Sequence, residues 1–286
     1  MNARTLLAWS VRRELWEHRA VYIAPLAIAA LVLVAFLFHA PRWAASVADI
    51  ALDSAKHRAG AVIPFSMAAS AILFTSWIVG VFYSLDALNA ERRDRSILFW
   101  KSMPVSDRIT VASKAAIPLV VLPLVALAIA LATQLAMALG ATVVLAAKGM
   151  APSIPWTAVP WGPATVGMFY AMAVHVLWFA PLFAWLLLVS AWARRAPFLW
   201  TVLPVLAAMA AEKIAFDTTH FARLLKHRFV GGMNAFVPEA MNQPITQLSQ
   251  LDPARFLSMP GLWLGLAFAF ACLAIAVRVR RRREPS

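Results

Sequence analysis

Charged side chains are confined to short stretches of this chain, and long runs between them carry none. Two such runs, Ala59 to Leu85 and Ala115 to Ala147, hold 27 and 33 residues. About 20 apolar residues cross the hydrocarbon core of a bilayer, so each predicts a transmembrane helix. The same pattern predicts six spans, at about 22–38, 62–85, 115–145, 164–192, 197–211 and 260–277. As a helix, the third charge-free run would measure about 50 Å, against a core of about 30 Å. It must tilt, kink or project. Pro118 and Pro123 can supply a kink, which membrane helices tolerate when neighbours satisfy the freed carbonyls.

The long charged interruption, Asp86 to Lys114, joins the second and third spans. It carries six cations (Arg92, Arg93, Arg95, Lys101, Arg108, Lys114) against four anions (Asp86, Glu91, Asp94, Asp107). A brief apolar helix-like run, Ile97 to Trp100, lies in its middle and is closed by Pro104. Residues 2–19 read as a further helix. Leu7, Ala8, Val11 and Leu15 share one face, and Ser10, Arg13, Glu14 and Glu17 gather on the opposite arc. Trp9 and Trp16 sit a heptad apart along a flank, and with Arg12 and Arg13 they suit a helix lying in the membrane interface. A solvated helix without a role is the alternative. Between the third and fourth spans, Pro152, Pro155, Pro160 and Pro163 forbid a continuous helix, while Trp156 and Trp161 fit an interfacial belt. Residues 212–259 are polar enough to lie outside the core. Their first part, 212–230, is helical in pattern, with Lys213 and Asp217 an i,i+4 pair, and Gly231-Gly232 ends it.

Composition agrees with this reading. The 286 residues are 62% hydrophobic and 14% charged, where a soluble domain carries about 25% charged residues. The net charge of +13 sits beside the ends of spans, so headgroups and orientation account for it better than nucleic acid. Lys and Arg number 17 on the side of the termini and nine on the other. The excess predicts six spans with both termini cytoplasmic, in one all-α membrane bundle over 1–286. The first apolar run is too long for a cleavable signal, and Pro41-Arg42 follows it. Cys272, the single cysteine, forms neither an intrachain disulfide nor a cysteine metal site.

Catalytic motifs are missing. No G-x-x-x-x-G-K-[ST], H-E-x-x-H or G-x-S-x-G occurs, so no nucleotide, metal or other cofactor is expected on this chain. Polar groups in the spans are few. His175 is a functional suspect by position or a neutral histidine bonded to a neighbouring helix. Gln134 is interhelical glue or a substrate contact. Glu212 and Lys213 mark the end of the fifth span or line a path. His220 and His227, seven apart, read as solvated or interfacial, with a metal site as the sharper option. Gly261, Gly265 and Ala269 form a small-residue stripe that permits close helix contact, conceivably across a dimer.

On ERRDRSILFWKSMPVSD (Glu91 to Asp107), VRRELWEHR (Val11 to Arg19) and the SMPGLWLGLA start of the last span, the chain resembles the permease subunits of ABC-2-type exporters. The resemblance implies a six-span half-transporter of the bacterial inner membrane. It would pair with a second permease, identical or not, and with a separate ATPase subunit that holds ATP and magnesium. A short helix at about Arg95 to Met103 would dock in that ATPase, beside an interfacial helix at about Thr5 to Arg19. Short outer helices would occupy 212–259. Phe99 and Trp100, with Ile97 and Leu98, are then the anchors expected of such an interface. Arg92, Arg93, Arg95 and Lys101 would steer association. Dipping of Phe99 and Trp100 into lipid headgroups is the alternative. Two other classes remain beside an exporter subunit moving an unidentified substrate: a membrane enzyme acting on lipid or peptide, and a non-transporting scaffold.

Overall fold

The structure, a computed structural model, describes residues 3–48, 55–93, 106–236 and 244–282. Among them no strand occurs beyond one isolated antiparallel bridge, Phe236 to Leu251. Helix α1 spans Ala3–Glu17, α2 Ala20–Ala48, α3 Ala55–Asp86 and α4 Ala90–Arg93. Next come α5 (Asp107–Ala116), α6 (Leu122–Ala147) and the single turn α7 (Ile154–Thr157). Then follow α8 (Trp161–Trp192), α9 (Pro197–Phe216), α10 (His220–Val230), α11 (Pro253–Ser258) and α12 (Pro260–Arg282). Six segments are long and apolar enough to cross a membrane: α2, α3, α5 continued into α6, α8, α9 and α12. The chain is an all-α bundle with the six spans the charge-free runs predict. We call the end bearing α1, α4 and the last turns of α12 the basal end, and the other the distal end.

The third span is longer than expected, Asp107–Ala147, and it is interrupted where the prolines fall. Pro118 has no N–H for the carbonyl of Lys114, and Pro123 none for that of Leu119. The chain answers with a π-helical turn over Ile117–Val121, in which the Leu122 N–H reaches back to the Ile117 carbonyl. One widened turn re-registers the helix between its two prolines. Below it, α5 is an ordinary capped helix: the Ser106 hydroxyl accepts the Ile109 N–H, Asp107 lies in the first turn and Lys114 in the last, charges that complement the helix dipole.

Helix α8 is the axis of the bundle. It buries Trp178, Phe183, Ala184, Leu186 and Leu187 and packs along α12 and against α3, while α2, α3 and α6 pack on one another. Distally, Phe36, Trp43, Phe65 and Trp161 meet edge-on or tilted with centroids 5.1–5.8 Å apart. Helix α9 is different, since none of its residues is buried. It is tied to α8 by a tight turn in which Ala196 is left-handed, with φ 48°, and by Trp192 against Trp200 at 4.8 Å.

The expected helix over 212–230 is divided. Asp217 adopts φ 50° and ends α9, so the chain reverses into α10. The Glu212 carboxylate satisfies the start of α10, accepting the N–H groups of His220 and Phe221 at 2.6 and 2.8 Å and the Thr218 hydroxyl. Helix α10 then runs back until its last turn meets Trp178, whose indole N–H donates to the Arg228 carbonyl at 2.7 Å. The turn Gly231–Ala235 closes on the same ring, where a Cβ at Gly231 would lie 2.8 Å from Trp178.

A left-handed alanine costs about 1–2 kcal/mol, part of which glycine returns at the expense of backbone entropy. Ala196→Gly is therefore expected to raise the thermal midpoint in detergent, by an amount corresponding to about 0.5–1 kcal/mol; an unchanged or lower midpoint would remove the strain argument for this turn.

Candidate functional site

At the basal end, charged side chains are drawn out of water around the residues that flank 94–105. Lys114, 2% exposed, donates to Glu14 at 2.9 Å and lies 3.1 Å from Glu91. Glu91 also takes the Arg280 guanidinium at 2.6 Å, and Arg280 holds Asp107 at 2.9 Å. Arg13 reaches Glu14 and Glu91 at 3.1 and 3.5 Å. The Tyr83 hydroxyl donates to Glu14 at 2.7 Å. His18 stacks edge-on against Tyr83 and lies 3.7 Å from Glu14. Three cations thus face three carboxylates, and α1, α3, α4, α5 and α12 all contribute.

The local sequence explains how the groups converge. Asp107, Val111 and Lys114 follow i, i+4, i+7 on α5, one face of a helix, and Val111 and Lys114 are buried. On α1 the arc holding Arg13 and Glu14 is the one turned to the bundle, together with Val11 and Leu15. The two arcs that the sequence reading set opposite each other thus both contribute to the buried side. The stem before the loop has a second tether, because the Ser190 hydroxyl of α8 accepts the N–H groups of Leu88 and Asn89, both at 3.0 Å. Arg280 is the clasp. It touches Glu91 before the loop and Asp107 after it, and so closes the base of the intervening segment.

Burial disfavours the Glu91 carboxylate, but Lys114 and Arg280 more than offset this, and its carboxyl sits below the ordinary carboxylate range. A group depressed in this way adds stability above its unfolded pKa and loses it as the pH falls through the folded one.

The residues expected from sequence are distributed as follows. Of the docking set, Arg95, Ile97, Leu98, Phe99, Trp100 and Lys101 lie outside the described residues. Arg92 belongs to α4, and Arg93 is exposed, 3.6 Å from Asp86. Trp9 and Trp16 are exposed on the far side of α1, with the Arg12 guanidinium 5.4 and 4.9 Å from their rings. Gln134 donates to the Phe65 carbonyl of α3 at 3.1 Å. His175 lines a cavity of about 500 Å³ with Phe74, Trp77, Phe179 and the prolines of the π turn. Glu212 caps α10, and Lys213 pairs with Asp217. His220 sits by Glu212 and His227 by the Trp178 ring, so the two histidines serve different contacts. Glu14, Lys114 and Arg280 carry the basal cluster; the sequence placed Glu14 on the polar arc of the first helix and counted Lys114 and Arg280 only among the cations of one side.

No family model matches the chain, and no match to a curated protein or to a solved structure was found.

Removing one partner of a buried pair strands the other, at a cost of about 3–5 kcal/mol. Lys114→Met is expected to lower the thermal midpoint in detergent by a corresponding amount. Wild-type stability should be flat from about pH 7 to 5 and fall below about pH 4, since ordinary carboxyls titrate near 4. In Lys114→Met, burial of Glu91 is opposed by one cation fewer, its carboxyl is less depressed, and less stability should be lost on acidification than in wild type. Identical pH profiles for the two proteins would show that the cluster does not carry this stability.

Proposed function

We propose that the chain is the membrane-spanning subunit of an ATP-driven exporter, worked from the basal end by a separate ATP-binding subunit. The observation that carries the reading is the Arg280 clasp. A loop that served only to connect two spans would have no need of stems fixed by a desolvated ionic cluster. A loop that takes a load does, because displacement of the 94–105 segment must reach the spans rather than be lost in its own stems. Through Glu91 and Asp107 a load passes to α12, through Lys114 and Glu14 to α1, and through Ser190 to α8. Phe99 and Trp100 are the proposed anchors on the ATPase, and Arg92, Arg93, Arg95 and Lys101 meet its acidic groups. In this reading the basal end is cytoplasmic, α1 lies in the membrane interface with Trp9, Arg12 and Trp16 toward headgroups, and a second permease completes the path.

The test is purification of the tagged chain in mild detergent, with co-eluting proteins identified and ATP hydrolysis measured. An ATP-binding protein in near-stoichiometric amount is expected. Phe99→Ala with Trp100→Ala should reduce its recovery roughly tenfold or more, the usual effect of removing aromatic anchors. Undiminished recovery would remove the anchor assignment, and ATP hydrolysis by the chain alone would remove the exporter reading.

A further inference from the structure

Arg228 is the second place where charge enters this bundle, and here no side chain among the described residues neutralises it. Its guanidinium lies over the Trp178 ring, 4.6 Å from the centroid, and donates to the carbonyls of Trp178 and Gly261 at 3.2 and 3.0 Å. Those bonds use two of five N–H donors, and no carboxylate among the described residues pairs with it. The small-residue stripe on α12 makes room for it: a Cβ at Gly265 would collide with the guanidinium, whereas Ala269 packs against α8. Beside Arg228 lies a cavity of about 550 Å³ bounded by α8, α9, α10 and α12. Apart from Arg228 and His227 its walls are apolar, among them Leu182, Trp185, Leu225, Leu264 and Phe268.

The depth of the arginine decides what the cavity suits. Gly261 lies in the first turn of α12 and Arg280 in its last, 19 residues and about 28 Å apart at helical rise. A hydrocarbon core is about 30 Å thick. With the ionic cluster at one boundary, Arg228 stands at the other, at the level of lipid phosphates. Leu264 and Phe268 lie one and two turns deeper, the direction an acyl chain takes. Helix α9, none of whose residues is buried, forms one wall through Pro204 and Val205. We propose that this cavity holds one anionic phospholipid drawn from the distal leaflet, its phosphate on Arg228 and a chain along Leu182, Trp185, Leu264 and Phe268. The assignment requires that α12 cross a bilayer and is independent of the exporter reading.

The test is native mass spectrometry of the delipidated, detergent-purified chain with phosphatidylglycerol, phosphatidylcholine or glycerol phosphate added. A charged hydrogen-bonded contact corresponds to roughly tenfold or more in affinity. Wild type should hold one phosphatidylglycerol that phosphatidylcholine displaces only at about tenfold excess, and Arg228→Gln should hold one fewer. Leu225→Trp, which fills the cavity and keeps the arginine, should also lose that lipid, and it stands as the test if Arg228→Gln fails to fold. An unchanged phosphatidylglycerol count in both variants would overturn the proposal. So would equal retention of phosphatidylcholine by wild type, or displacement by chainless glycerol phosphate at matched concentration.

Discussion

Everything at the basal end depends on charges that can leave water only together. Moving one carboxylate or ammonium out of water costs several kcal/mol even after relaxation, so Lys114 and Glu14, 2% and 1% exposed, are tolerable only as partners. Arg280 is in the same position toward Glu91 and Asp107. Because the six groups come from four helices, with Tyr83 adding a fifth, no helix can shift without stranding a charge on another. A buried ionic network of this kind adds little net stability over an apolar core. Its effect is on geometry, since it admits one arrangement of α1, α4, α5 and α12 and penalises neighbouring ones.

The spans were legible because apolar composition over 20 residues is a sum over many side chains, insensitive to any single contact. An irregularity at Pro118 and Pro123 was legible too, since each removes a donor whatever surrounds it; the sequence does not say that a π turn absorbs both. The ionic cluster was not read, although one signal was present. Asp107, Val111 and Lys114 share a helix face, and Lys114 stands at the edge of a 33-residue charge-free run, where a lone cation needs a partner. Counting Lys and Arg by side treats each as solvated and discards that information. Glu14 was missed for the same reason: an acid amid arginines on a short helix looks like surface.

At the distal end local rules competed. Lys213 and Asp217 do form the i,i+4 pair that helical spacing predicts, yet Asp217 is itself left-handed and ends the helix. The pair survives because a C-cap residue still lies one turn from its partner, so the spacing did not reveal the break. The glycines of α12 were read as a surface for another helix, which holds for Ala269 against α8. At Gly265 the space goes to the guanidinium of Arg228, 37 residues earlier in the chain, a tertiary contact no local pattern encodes.

Helix α12 joins the two charged features, with Arg280 in its last turn and Gly261 and Gly265 in its first two. Between them it lies along α8 through Ala269, Cys272 and Ala276, small side chains that bring the backbones close. Close-packed interiors do not absorb displacement gradually. If the loop base is pulled, α12 is constrained to move as a body or to break contact with α8 along its length. Its distal end carries the seat of Arg228 and lines the 550 Å³ cavity through Gly261, Leu264, Gly265 and Phe268. The two ends are therefore joined by a single helix held through arginine contacts at both, Arg280 to Glu91 and Asp107 at one and Arg228 to the Gly261 carbonyl at the other.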